Sequence, residues 1–119
     1  MERPLLPNDR VAAPVTASVA AFHREVVEEV ATAVSRHPVV VVGMKQNPVV
    51  KKARRILDEA GVSYEYLEYG SYFSQWKQRL AIKLWAGFPT FPMVFLDGTL
   101  VGGAREVEQL KSEGKLKRS

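Results

Sequence analysis

The apolar residues of this chain follow two different spacings in turn, and the alternation predicts helices and strands in succession. From Thr16 to about Arg36 they recur every three or four residues, as in a helix with one apolar face. Val39 to Val42 is then an unbroken run of β-branched residues, which is typical of a strand buried on both faces of a sheet. We therefore expect a first helix followed by a central strand.

A second helix is expected soon after this strand. Asn47 is a favourable N-cap, Pro48 fits the first helical position, and Gly61 fits the position after the last turn. The residues between them repeat at helical spacing. The expected apolar face consists of Val49, Ala53, Ile56, Leu57 and Ala60.

A second strand and a third helix are expected next. The strand is predicted at Ser63 to Glu68, and Ser71 or Ser74 is expected to cap the helix, which continues to Gly87. Large apolar residues recur along this helix, and we expect them to pack in the core rather than to bind bases. They are Trp76, Leu80, Leu84 and Trp85.

A β-hairpin is predicted near the C-terminus. Met93 to Leu96 and Thr99 to Val101 are apolar runs joined by Asp97-Gly98, a dipeptide that favours a two-residue turn. The Phe91-Pro92 bond upstream is a candidate for a cis peptide, and both isomers stay open at this point. A last short helix is expected from about Ala104 to Glu113.

The composition indicates an ordinary globular protein of one domain. The 119 residues are 46% hydrophobic and carry a net charge of +4, and no apolar run approaches the ~18 residues of a membrane span. We expect a loose N-terminal arm at residues 1–15, a single domain at residues 16–119, and a cytoplasmic location without membrane or nucleic-acid binding. His23 and His37, the only histidines, have no partner at ligand spacing, so no metal site is expected.

Several motifs resemble the glutaredoxin family, and its single-cysteine (CGFS-type) branch best. Phe88-Pro89-Thr90-Phe91-Pro92 is similar to the W-P-T-x-P segment of that branch, and Val101-Gly102-Gly103 to its V-G-G before the last helix. The resemblance covers about residues 25–116. It implies an α/β, thioredoxin-like (glutaredoxin-like) fold, in which helices flank a mixed four-stranded sheet in the order α-β-α-β-α-β-β-α.

The redox chemistry of that family depends on a cysteine at the start of the second helix, and this chain contains no cysteine. Either the CGFS segment is deleted, or Asn47 and Val50 replace the two cysteines of a C-P-x-C motif. Neither alignment supplies a nucleophile, because an amide cannot attack a disulfide. Thiol–disulfide exchange and thiolate ligation of an iron–sulfur cluster by this chain are therefore excluded, and we expect no such enzyme activity.

The resemblance also implies candidate residues for binding glutathione or another small anion, and glutathione is the only cofactor that it suggests. These candidates are Lys45, Arg79, Lys83, Thr90, Phe91, Pro92, Gly102, Gly103 and Arg105. Arg105 stands where the single-cysteine branch has an aspartate, so its charge opposes the ammonium group of glutathione. Whether Glu106 compensates for this reversal stays open.

Three functional hypotheses follow. The first, which we favour, is a redox-inactive binding module in redox or iron–sulfur homeostasis, with a protein partner, BolA-type proteins included. This partner would dock in the old active-site groove or on the Phe88–Phe91 aromatic surface. The second is a glutathione- or small-anion-binding protein that uses the same residual groove. The third is a structural domain that forms homodimers through its long first helix.

Overall fold

The computed structural model describes residues 12, 14–15, 18, 21–71 and 74–116. The main elements in these ranges are, in chain order, α1 (Arg24–Arg36), β1 (Val39–Gly43), α2 (Pro48–Glu59), β2 (Glu65–Glu68), α3 (Trp76–Ala86), β3 (Met93–Leu96), β4 (Thr99–Gly102) and α4 (Ala104–Ser112). This order is the predicted one. The predicted N-terminal arm, residues 1–15, lies almost entirely outside the described residues and stays a prediction.

The strands form one mixed sheet in the order β2-β1-β3-β4. β1 is parallel to β2 and antiparallel to β3, and β3 is antiparallel to β4. Val40, Val41 and Val42 are completely buried, so the run of valines forms a central strand as predicted. The predicted thioredoxin-like fold class is confirmed.

Hydrophobic cores lie on both faces of the sheet because successive valines of β1 point to opposite sides. On one face, Val40 and Val42 pack with residues of α1 and α3, such as Val30 and Ile82. On the other face, Val41 packs with residues of α2 and α4, which include Leu57 and Val107. Val26 and Val34 of α1 pack against the first core as well, so the apolar side of α1 faces the sheet.

Two short sequence motifs, a turn and a helix start, adopt the structures predicted for them. The hairpin between β3 and β4 turns at Asp97 and Gly98, whose φ angles are 49° and 82°, the left-handed geometry that an Asp-Gly turn favours. α2 begins after Asn47 with Pro48 in its first turn. Its apolar face is shifted from the prediction, because Val50 is buried while Val49 is 48% exposed.

The first helix is shorter than the prediction. The prediction of a continuous helix from Thr16 is wrong, because His23 has a φ of 46° and α1 begins only at Arg24. A left-handed residue cannot continue a right-handed helix, which explains the break. Thr16 itself lies outside the described residues.

The third helix departs from the prediction in two respects. Among the residues that the structure describes, no side chain caps its first turn, and Gln75 precedes it with a φ of 56°. Ser74 Oγ instead accepts a hydrogen bond from the backbone nitrogen of Ser71, at 3.1 Å. The predicted core residues of α3 are in fact exposed. Their exposed fractions are 58% for Trp76, 38% for Leu80, 51% for Leu84 and 41% for Trp85.

Candidate functional site

Four strand ends meet at one edge of the sheet. Val42 pairs with Met93, Gly43 with Glu68, and Val94 with Gly102. The ends of β1, β2 and β4 therefore lie beside the start of β3. Residues 44–47, 90–92 and 102–103 follow or precede these strand ends, and we call these three segments the loop cluster. Most of the candidate residues predicted from the sequence belong to it.

Asn47 is the N-cap of α2 and is buried, with 8% of its surface exposed. Its side-chain oxygen accepts hydrogen bonds from Val49 N at 2.9 Å and Val50 N at 3.1 Å. Its backbone oxygen accepts from Lys51 N at 3.1 Å. Since Pro48 has no N–H, the chain itself satisfies the donors of this first turn. An anion at this helix start would have to displace the Asn47 side chain.

The proline segment lies close to Gly103. The Phe91-Pro92 peptide bond is cis. A Cβ atom on Gly103 would lie 3.3 Å from the backbone oxygen of Pro92, tighter than an ordinary van der Waals contact. Thr90 is exposed, whereas Phe91 is only 8% exposed and Phe88 packs against the core. Little aromatic surface is therefore exposed at Phe88–Phe91, and the docking of a partner there stays a prediction.

The three basic candidates have different environments. Lys45 is exposed, and Lys83 is half-buried with its Nζ 5.8 Å from the centre of the Phe91 ring. Arg79 is only 7% exposed, and its Nη1 donates to the backbone oxygens of Tyr69 at 2.9 Å and Ser74 at 2.6 Å. Arg79 thus holds the loop between β2 and α3, while Lys45 and Lys83 carry the positive charge near the loop cluster.

Glu106 has a role that the sequence analysis left open. Its Oε1 accepts a hydrogen bond from the backbone nitrogen of Gly103 at 3.0 Å, and the carboxylate fills the space that a side chain on Gly102 would occupy. Arg105 is exposed. The loop cluster therefore has a carboxylate beside Gly103 even though Arg105 reverses the adjacent charge. The signal in the sequence was a glutamate at the third position of the helix, a common capping pattern.

Tyr66 lies beside the same strand ends, where its ring packs against Gly43 and Arg54. Nothing in the sequence pattern indicated these contacts. Its ring packs where a side chain on Gly43 would be, and the Arg54 guanidinium lies 3.9 Å from the ring centre. Its hydroxyl donates to Glu68 at 3.0 Å. Burial, followed by this hydrogen bond, raises the pKa of Tyr66 to about 12.

A second tyrosine, Tyr69, donates its hydroxyl to Glu29 of α1. Burial, reinforced by that carboxylate, raises the pKa of Tyr69 as well. Both hydroxyls therefore stay protonated near neutral pH, which makes them weak nucleophiles. Neither tyrosine takes the place of the missing cysteine.

In the described ranges, no group of three or more His, Asp or Glu residues is arranged to hold a metal ion. No helix in those ranges is both long enough and apolar enough to span a bilayer.

Sequence comparisons agree on one family. The glutaredoxin family model matches residues 39–101. A "Glutaredoxin-like protein" of Dictyostelium discoideum is 52% identical over 95 residues, which is 80% of this chain and 77% of that protein. "Glutaredoxin 1" of Rickettsia conorii is 34% identical over 80 residues, 67% of this chain and 78% of that protein. The closer resemblance to the single-cysteine branch stays a prediction.

Solved glutaredoxins share the fold at lower sequence identity. The buckwheat glutaredoxin–glutathione complex has a TM-score of 0.67 and 23% identity, covering 78% of this chain and 84% of that one. Reduced glutaredoxin C1 from Populus tremula x tremuloides has a TM-score of 0.70 and 21% identity, covering 82% of this chain and 84% of that one. Together with the sequence matches, these likenesses show that this cysteine-free chain belongs to the glutaredoxin family.

Proposed function

We propose that this chain is a non-catalytic binding module, linked to redox or iron–sulfur homeostasis. The observation that supports this most is the position of Asn47 at the start of α2, where its amide oxygen bonds to Val49 N and Val50 N. An amide maintains the helix start but provides no nucleophile. The fold of the family is thereby kept without the chemistry of its cysteine.

A protein partner would contact the loop cluster and the cations beside it. Lys45 and Thr90 are exposed there, and Lys51 and Arg55 are exposed on the adjoining helix α2. These charges favour an acidic partner surface. Membership of the glutaredoxin family makes proteins of redox or iron–sulfur homeostasis, BolA-type proteins among them, the first partners to test.

The test compares two charge reversals against a purified BolA-type protein in a calorimetric titration. Lys45→Glu is expected to weaken binding at least tenfold, because it places a carboxylate in the proposed contact. The matched control is Lys115→Glu, which changes an exposed lysine on the C-terminal side of α4. It should leave binding unchanged. Equal binding by both variants would count against the loop cluster as the contact surface. Turnover above a no-protein control in a thiol-transfer assay would refute the non-catalytic role.

Glutathione binding is the second candidate function. It is favoured by the Glu106 carboxylate beside Gly103, which offers a partner for an ammonium group, and by Lys45 and Lys83, which offer partners for carboxylates. Buckwheat glutaredoxin, which shares the fold, has been solved with glutathione. The bonds from Val49 N and Val50 N to Asn47 argue against it, because they occupy the donors of the helix start.

A titration of the isotopically labelled protein with glutathione separates the two candidates. Saturable amide shifts at Lys45, Phe91 and Gly103 would support glutathione binding without a cysteine. Unchanged spectra at millimolar glutathione would favour the protein-binding module. Self-association through α1, the third hypothesis, has less support, because the apolar side of α1 packs against the sheet.

A further inference from the structure

Helix α3 has apolar residues on opposite sides. Ala81 and Ile82 are buried against the sheet, whereas Trp76, Leu80 and Leu84 are exposed. Residues four apart in a helix lie one above the other, so these three form a continuous ridge on the solvent side. We call Trp76, Leu80 and Leu84 the α3 ridge.

The α3 ridge accounts for much of the exposed apolar surface. In the part of the chain that the structure describes, six large apolar side chains are exposed, and four of them belong to α3, the fourth being Trp85. Trp85 lies on another side of the helix, where its ring is 5.8 Å from that of Phe95. If a large side chain presents about 150–250 Å², the exposed parts of the three ridge residues amount to roughly 250–300 Å². A strip of that size approaches the largest apolar patch of a typical monomer, about 300–600 Å², which is often functional.

Positive charges border the ridge. Lys77 lies on one side, with its Nζ 5.7 Å from the centre of the Trp76 ring, and Lys83 lies on the other. The sequence of α3 contains no aspartate or glutamate. Pairing two copies of this chain through the ridge would therefore gather four lysines around it without a carboxylate from either helix. Charge complementarity favours a partner that supplies acidic groups.

A flat anionic membrane fits this surface less well. A cavity of about 410 Å³ beside the N-terminal end of α3 is lined by Glu25, Glu29 and Glu68, together with Gln75 and Gln78. A bilayer that reached Trp76 would bring its negative surface near these carboxylates. A narrow protein helix along the ridge would avoid them.

We propose that the α3 ridge docks an amphipathic helix of a partner protein, whose apolar stripe is flanked by carboxylates. The distance from Trp76 to Leu84 corresponds to about 12 Å of helix, which matches apolar anchors spaced over two turns of a partner. The three ridge residues lie outside the loop cluster, which is the contact in the proposed function. Lys83 borders both surfaces, so the test changes Lys77 and not Lys83. The two can therefore fail independently.

The test places a photo-crosslinking amino acid at Leu80 in the full chain, expressed in cells, and identifies the crosslinked peptides by mass spectrometry. A matched control carries it at Ser112, which is exposed at the end of α4. We expect crosslinks specific to Leu80, and peptides with an apolar stripe flanked by Asp or Glu. Lys77→Glu should reduce their yield at least tenfold while leaving the melting temperature unchanged.

Other occupants would overturn the proposal. Crosslinks to a second copy, supported by dimers in sedimentation that Leu84→Lys abolishes, would assign the ridge to self-association. Crosslinks to residues 1–11 of the same chain would assign it to an internal contact. Flotation with vesicles of phosphatidylcholine and phosphatidylserine that Leu84→Lys abolishes would assign it to a membrane. Basic or purely polar crosslinked peptides, or none specific to Leu80, would also overturn it.

Discussion

The side-chain oxygen of Asn47 lies 3.1 Å from the backbone nitrogen of Val50, so the residue that replaces a cysteine in the C-P-x-C alignment is also the N-cap of α2. In that alignment the substitution does two things at once. It removes the nucleophile, and it satisfies the backbone donors that would otherwise stabilise a thiolate or a bound anion. In that alignment, the capping of α2 and the absence of a thiol are therefore coupled at this one position.

Removal of this cap should destabilise the domain. Asn47→Ala is expected to lower the free energy of unfolding by about 1 kcal/mol, because Val49 N and Val50 N lose their acceptor. Asn47→Asp keeps an acceptor and places a negative charge at the helix start, so it should cost clearly less. Urea denaturation of the three proteins measures the difference. An Asn47→Ala protein as stable as the unsubstituted one would show that the cap contributes little.

A cysteine at position 47 should be unusually acidic. In Asn47→Cys the thiolate would take the place of the amide oxygen in front of Val49 N and Val50 N, and we expect a thiol pKa below the usual value of about 8.5. The pH dependence of iodoacetamide alkylation measures it. Ser112→Cys, at the exposed end of α4, is the control and should not show a lowered pKa. Identical profiles for the two thiols would contradict the proposed donor arrangement.

Arg79 should matter for stability rather than for ligand recognition. Arg79→Met leaves the backbone oxygens of Tyr69 and Ser74 without their donor, and we expect a loss of about 1–3 kcal/mol in the free energy of unfolding. Lys83→Met should change it by less than about 0.5 kcal/mol. Chemical denaturation, with amide shifts at Gly70 and Ser74, tests this. An Arg79→Met protein of normal stability that binds glutathione more weakly would assign Arg79 to recognition instead.

Alkaline pH should destabilise the fold through two tyrosines. Burial raises the pKa of Tyr66 to about 12 and shifts that of Tyr69 in the same direction, whereas an unfolded tyrosine titrates near 10. The folded state therefore binds these protons more tightly. Their contribution to stability is complete below about pH 10 and is lost as the pH rises toward 12.

Unfolding midpoints in urea between pH 9 and 11.5 measure this loss. The double variant Tyr66→Phe, Tyr69→Phe has neither titrating hydroxyl, so its stability should decline less steeply over that range. A decline as steep as that of the unsubstituted protein would mean that other groups cause the alkaline transition.

Much of the fold followed from short-range signals. The four valines of β1, the Asn47-Pro48 helix start and the Asp97-Gly98 turn each impose their structure through neighbouring atoms, and each appears where it was expected. The motifs around Pro92 and Gly102-Gly103 are also short, and their residue types indicated the family. The absence of cysteine needed no structure to exclude thiol chemistry.

The structure of the candidate site depended on longer-range contacts. Arg79 matched a ligand-binding residue by its position along the chain, but its Nη1 donates to the backbone oxygens of Tyr69 and Ser74. The bond between Gly103 and Glu106 is the exception, because it spans only three residues and the glutamate at the third helical position signals it. Tyr66 reaches the site because β2 pairs with β1.

The sequence by itself determined the order of the elements, the central strand and the absence of a cysteine nucleophile, because these depend on local geometry and on residue chemistry. Only the tertiary structure decided which side of α3 faces the core. Its apolar residues occur on both sides, so helical periodicity cannot choose between them. Packing buries Ala81 and Ile82 with Arg79, and leaves Trp76, Leu80 and Leu84 on the solvent side.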